Sequence, residues 1–163
     1  NAKTITAQFD TVSACFSKGL GCPSGSVLMG TKDVIRRAHR IRKMFGGTMR
    51  QTGILAGAAE FAIDHQLERL VEDHLHAKAL ATGINQISGL SCDVENTETN
   101  LVFIDIDRSL GDGATLCRKL WKNGILAEAL DPQRVRFVTH LGVTDADIER
   151  AIQVTADTCH EMD

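Results

Sequence analysis

The chain has 163 residues, of which 43% are apolar and 24% charged, with a formal charge of −3. That length suits one domain or one and a half small ones, and the composition excludes a disordered, collagen-like or disulfide-scaffold chain. The mild acidity, with a pI near 6.1, excludes a global pull toward nucleic acid or an anionic membrane.

No apolar run approaches the ~20 residues of a membrane-spanning helix, and the N-terminus lacks the apolar stretch of a secretory signal. The cysteines are Cys15, Cys22, Cys92, Cys117 and Cys159, an odd set of five without CxxC spacing. They are expected as reduced, mostly buried thiols of a cytoplasmic protein. His74 and His76 stand two apart and do not share a helical face, so no metal site is expected.

In chain order, Val12 to Phe16 alternates, with Val12, Ala14 and Phe16 on one side, and predicts a short strand. Ser17 to Gly25 gathers Gly19, Gly21, Pro23 and Gly25 into a loop whose backbone can approach a ligand. Ser26 to Met29 predicts a second strand. Asp33 to Phe45 predicts a basic helix, with Val34, Ala38, Ile41 and Phe45 on one stripe and Gly46-Gly47 as its stop. Gln51 to about Ile84 is alanine-rich and helical, either one long bridging element or two helices with a bend.

Ser88 to Thr99 reads as a loop or weak strand, and Leu101 to Ile106 as a strand. Gly111 to Gly124 predicts a helix with Asp112 as N-cap and Gly124 as C′ residue, Leu116, Leu120 and Trp121 facing inward. Val135 to Thr139 predicts a strand. Thr144 to Asp147 opens the last helix with a variant capping box, and Ile148, Ala151, Ile152, Thr155 and Cys159 form its inner stripe.

The predicted architecture is α/β. Residues 1–51 are expected to be the end of a larger domain, 52–86 a connecting helix, and 87–163 a small C-terminal α/β domain.

A lysine between a strand and a glycine loop can serve as a nucleophilic amine once its environment favours the neutral form. On spacing alone, Lys18 also reads as a solvated surface residue. The run CFSKGLGCPSGSVLMG, followed by RIRKMFGGTMRQTGILAGAAE, resembles the cofactor-lysine region of the threonine aldolases, PLP-dependent enzymes of fold type I. The family's SKGLGxPxGS stretch is matched from Ser17 to Ser26, and its RxRKxxGGxMRQ stretch from Arg40 to Gln51. Its VRxVTHL strand is matched from Val135 to Leu141. Cys22 and Thr48 depart from the family's usual small residue and third glycine.

The resemblance implies a fold-type-I architecture and assigns roles residue by residue. Lys18 matches the lysine that forms the internal aldimine with PLP, and Ser17 precedes it at the same strand end. Arg50 and Lys43 match basic residues near the cofactor phosphate, Arg50 by way of a subunit interface. Arg136 matches the arginine that grips the substrate carboxylate, the geometry that suits a planar guanidinium. A surface pair of Arg136 with Asp131 is the bland reading. His140 is expected to pack in the core or to orient Arg136. Arg36, Arg37, Arg40 and Arg42 read as a solvated basic face, and nucleic-acid binding by it is disfavoured because no aromatic residues interleave.

The implied reaction cleaves L-threonine or L-allo-threonine to glycine and acetaldehyde. A related PLP lyase, a phenylserine-type aldolase and a non-catalytic interface module are the alternatives. The implied assembly is a homotetramer, a dimer of dimers. The phosphate loop, the partner of the pyridine nitrogen and the ring stacked on the cofactor come, in the family, from residues before the lysine. The chain is therefore expected to be the C-terminal portion of such an enzyme, without turnover by itself.

Overall fold

A computed structural model describes residues 1–162. By its internal contacts the chain divides into two compact units, Asn1–Glu68 and Arg69–Asp163. The charge divides with them. Residues 1–68 hold nine Lys and Arg against five Asp and Glu, whereas residues 69–163 hold nine against sixteen.

The first unit opens with a short helix, α1 (Ala2–Thr6), capped by the Asn1 side chain and not expected from the sequence. Strands β1 (Thr11–Cys15) and β2 (Ser26–Gly30) pair antiparallel, Cys15 opposite Ser26 and Thr11 opposite Gly30. Helix α2 (Lys32–Met44) starts where the Thr31 hydroxyl accepts the Val34 N–H. It ends in a Schellman motif. Gly46 sits at φ +73°, its N–H donates to the Lys43 carbonyl, and the Gly47 N–H donates to the Arg42 carbonyl at 2.8 Å. Helix α3 (Gly53–His65) closes the unit and buries Ala59 and Ala62.

The stretch from Gln51 to Ile84 is two helices. Helix α4 (Leu70–Ile84) begins after the turn at residues 66–69, within which the two units part.

The second unit is a four-stranded antiparallel sheet in the order β3-β4-β6-β5, with α4 and α5 packed on one face and α6 packed against those two helices. Its strands are β3 (Leu90–Cys92), β4 (Leu101–Ile106), β5 (Glu128–Asp131) and β6 (Arg134–Val138). Alternation decides the faces. Val102, Ile104 and Ile106 of β4 and Val135 and Phe137 of β6 point into the core, whereas Leu101, Phe103 and Arg134 point away from it. Helix α5 (Gly113–Lys122) adds Leu116 and Leu120, and α4 adds Leu80 and Ile84. Trp121, expected inward, is instead exposed, since it stands one residue round the helix from fully buried Leu120. Each fully buried aliphatic side chain of this kind contributes about 1.5–3 kcal/mol.

The caps follow the sequence. The Asp112 carboxylate accepts the Thr115 N–H at 2.8 Å, and Gly124, at φ +81°, terminates α5. Helix α6 (Asp145–His160) carries both bonds of a capping box between Thr144 and Asp147, and buries Ile148, Ala151, Thr155 and Cys159. Strand β5, which the sequence reading passed over, forms the sheet edge beside β6. None of the described helices is long and apolar enough to cross a membrane.

Candidate active site

The loop between β1 and β2 holds Lys18, and its own hydrogen bonds shape it. The Phe16 N–H donates to the Gly25 carbonyl (3.0 Å), the Gly21 N–H to the Lys18 carbonyl (2.8 Å) and the Cys22 N–H to the Phe16 carbonyl (3.1 Å). Gly21 at φ +71° and Gly25 at φ +117° take backbone conformations that a Cβ disfavours. Phe16, Leu20 and Cys22 turn inward onto Ala59 and Ala62 of α3, and the Cys22 thiol donates to the Ala58 carbonyl at 3.5 Å. The departure at Cys22 thus falls on the packing side of the loop.

Ser17 and Lys18 face outward. Both are exposed, and no hydrogen bond or ion pair engages either side chain among the described residues. The loop thus presents a primary amine that a carbonyl-bearing ligand can reach. An open cleft of about 490 Å³ lies beside the loop, walled by Phe16, Val27, Arg42, Leu55, Ile63 and Asp64. Lys18 is not part of its wall.

The basic segment lies in the same unit. Lys43 is in the last turn of α2 and Arg50 follows the double-glycine stop. Both are exposed, and among the described residues neither makes an ion pair, whereas Arg36 is matched to Asp33 at 3.3 Å. Two unmatched cations fit the charge of a phosphate monoester. The glycines beside them first serve to end α2.

Arg136 lies in the second unit, on the sheet face away from the helices. Its cross-strand neighbours are Phe103 on β4 and Glu128 on β5. The guanidinium donates through one terminal nitrogen to the Glu128 carboxylate, and Nε, buried, has no acceptor among the described residues. The partner is therefore Glu128 and not Asp131, whose carboxylate instead accepts the Gln133 N–H at 2.9 Å in the β5–β6 turn.

The expectation for His140 is corrected. The strand alternation ends at buried Thr139, so His140 is exposed, and its Nδ1 accepts the Gly142 N–H at 3.1 Å. It neither packs in the core nor touches Arg136.

The sequence reading also missed the buried pair of Arg69 with Asp73 at the start of α4. Their spacing of four residues on a helix was the available signal. Cys15, Cys22, Cys92 and Cys117 are unbridged thiols, but the expectation of mostly buried cysteines is corrected. Cys22 and Cys159 are buried, Cys92 and Cys117 are half-buried with their thiols pushed up by burial, and Cys15 is exposed on the outer side of β1. Among the described residues no His, Cys, Asp and Glu side chains group so as to hold a metal ion.

Solved structures share this architecture. A Listeria monocytogenes protein provisionally named an L-allo-threonine aldolase superposes with a TM-score of 0.76 at 20% identity, over 97% of this chain and 47% of that one. Sphingomonas wittichii serine palmitoyltransferase gives 0.74 at 14% identity, over 98% and 42%. The fold is the α/β fold of the fold-type-I PLP-dependent enzymes.

Within that class, residues 1–107 match the model of the family described as beta-eliminating lyase, and the chain belongs to this family. Low-specificity L-threonine aldolase 1 of Arabidopsis thaliana is 42% identical over 140 residues, 85% of this chain and 39% of the relative. The low specificity L-threonine aldolase of Escherichia coli K12 is 41% identical over 142 residues, 87% and 40% respectively. The chain spans about two fifths of the length of these curated relatives.

Proposed function

We propose that the chain is the lysine-bearing and carboxylate-binding part of a PLP-dependent aldolase. The reaction cleaves L-threonine or L-allo-threonine to glycine and acetaldehyde. The observation that carries this reading is identity above 40% to threonine aldolases over most of the chain, together with an unengaged Lys18 amine.

Lys18 supplies the primary amine that holds the cofactor, and Ser17 offers a hydroxyl beside it. Arg50 and Lys43 neutralise the phosphate. Arg136 orients the amino acid by its α-carboxylate. When bound, PLP supplies an electron sink for the bond that breaks at Cα.

The protein is read as a cytoplasmic homotetramer. Unbridged thiols support the compartment. Large exposed apolar side chains of the first unit, Met44, Phe45 and Ile54 among them, call for a cover, which a second subunit or further residues of a longer chain would supply.

A second reading, β-elimination at the same residues, is favoured by the family description. Product analysis of the intact gene product loaded with PLP separates the two. Aldol cleavage of L-threonine releases glycine and acetaldehyde, whereas β-elimination releases ammonia and 2-oxobutyrate. Lys18→Ala is expected to remove the cofactor's visible absorption band together with turnover. A wild-type protein that binds no PLP, or that yields only ammonia and 2-oxobutyrate, overturns the aldolase reading.

A further inference from the structure

Arg136 does not wait empty-handed. Glu128 stands directly opposite it across the β5–β6 ladder, on the same face of the sheet, and its carboxylate accepts from the guanidinium. The contact is one-pronged. Nε of Arg136 is buried and has no acceptor among the described residues, so the side edge of the fork is half used.

A guanidinium grips a carboxylate best through two adjacent N–H groups. Leaving one of them buried and unbonded is a standing cost that a two-pronged ligand removes. The partners also differ in mobility. The Arg136 side chain is 34% exposed and that of Glu128 is 60% exposed, so Glu128 can swing into water while Arg136 stays on the sheet. The neighbouring cation offers Glu128 no alternative partner, because Arg134 is matched to Asp105 at 3.5 Å and lies over the Phe103 ring at 5.4 Å. Two carboxylates on one guanidinium would repel each other at close range.

We propose that Glu128 is the resident counter-carboxylate of Arg136, and that an amino-acid substrate binds by displacing it. Glu128 then sets how much amino acid is needed to fill the site without taking part in the chemistry. It also shields the guanidinium from stray anions, since only a ligand able to use both N–H groups gains from the exchange. This rests on the carboxylate role of Arg136 proposed above.

The test titrates the PLP-loaded intact gene product with glycine, following the visible spectrum, in wild type, Glu128→Gln, Glu128→Ala and Arg136→Ala. Both Glu128 variants are expected to bind glycine about threefold to fivefold more tightly, the size of a partly exposed ion pair. KM for L-threonine falls in parallel while kcat stays unchanged. Arg136→Ala is expected to weaken glycine binding by at least about tenfold, the loss of a charged hydrogen-bonding partner. Unchanged or weaker glycine binding in both Glu128 variants, with Arg136→Ala impaired, overturns the role of Glu128 alone. Unchanged binding in Arg136→Ala overturns the carboxylate site itself.

Discussion

Gly83, near the end of α4, faces Ile152 of α6 with no room for a side chain. A Cβ added there would lie 2.3 Å from Cδ1 of Ile152 on α6, 2.8 Å from its Cγ1 and 3.1 Å from its Cγ2. Two effects oppose each other in Gly83→Ala. Alanine gains up to about 1 kcal/mol of helix propensity over glycine. Overpacking costs about 1–3 kcal/mol. Rotation of Ile152 relieves little, because a β-branched side chain in a helix has essentially one χ1 well and both γ carbons crowd the site. Helix α6 must therefore shift, and a net loss of about 1–2 kcal/mol is expected.

The sign reverses when Ile152 is removed. In an Ile152→Ala background all three crowding atoms are gone, and Gly83→Ala should then stabilise by up to about 1 kcal/mol. Urea unfolding followed by circular dichroism reads both changes. Fluorescence of Trp121, the chain's single tryptophan, reports on the second unit alone. If Gly83→Ala leaves the wild-type midpoint unchanged or raises it, the close approach of α4 and α6 is wrong.

Asp73→Ala, at a site only 1% exposed, strands the Arg69 guanidinium with no counter-charge beyond the exposed Glu72, and should cost about 3–5 kcal/mol in the same assay. A loss below about 1 kcal/mol would mean that the pair is solvated. Acid stability should follow the helix caps. Hydrogen bonds from Thr144 hold the Asp147 carboxyl below its usual 3.8, and the Thr115 N–H does the same for Asp112. A depressed folded pKa stabilises above the unfolded value and is lost as pH falls through the folded one. The midpoint should therefore drop below about pH 4, and Asp147→Asn should flatten that drop; an unchanged pH profile in the variant refutes the assignment.

What the sequence disclosed depended on local chemistry. Leu101 to Ile106 alternates without interruption, and Asp112, Gly124 and Thr144 carry cap chemistry that needs no tertiary partner, so β4, α5 and the start of α6 were legible. A bend between Gln51 and Ile84 was one of the two readings, but its position before α4 was not legible, because Gln66-Leu67-Glu68-Arg69 contains neither glycine nor proline. Strand β5 escaped because Glu128-Ala-Leu-Asp131 is short and three of its four residues are alanine or acid, a composition depleted in strands and easier to hold at an edge.

The candidate site divides the same way. The glycines around Lys18 announce a shaped loop, and the structure shows that loop pinned on α3 with the amine outward. The partner of Arg136 was illegible, because it depends on the register of β6 against a strand that the sequence reading did not see.

The unequal sharing of charge between the units gives the overall figures a different meaning. A pI near 6.1 belongs to neither unit, since one carries an excess of cations and the other a larger excess of anions. Near neutral pH they stand on opposite sides of their own isoelectric points. Mild acidification adds to the positive charge of one while draining the negative charge of the other. At the pH where the whole chain migrates as a neutral species, it is a zwitterion on the scale of its two units, and an averaged charge misstates what either surface offers to an ion.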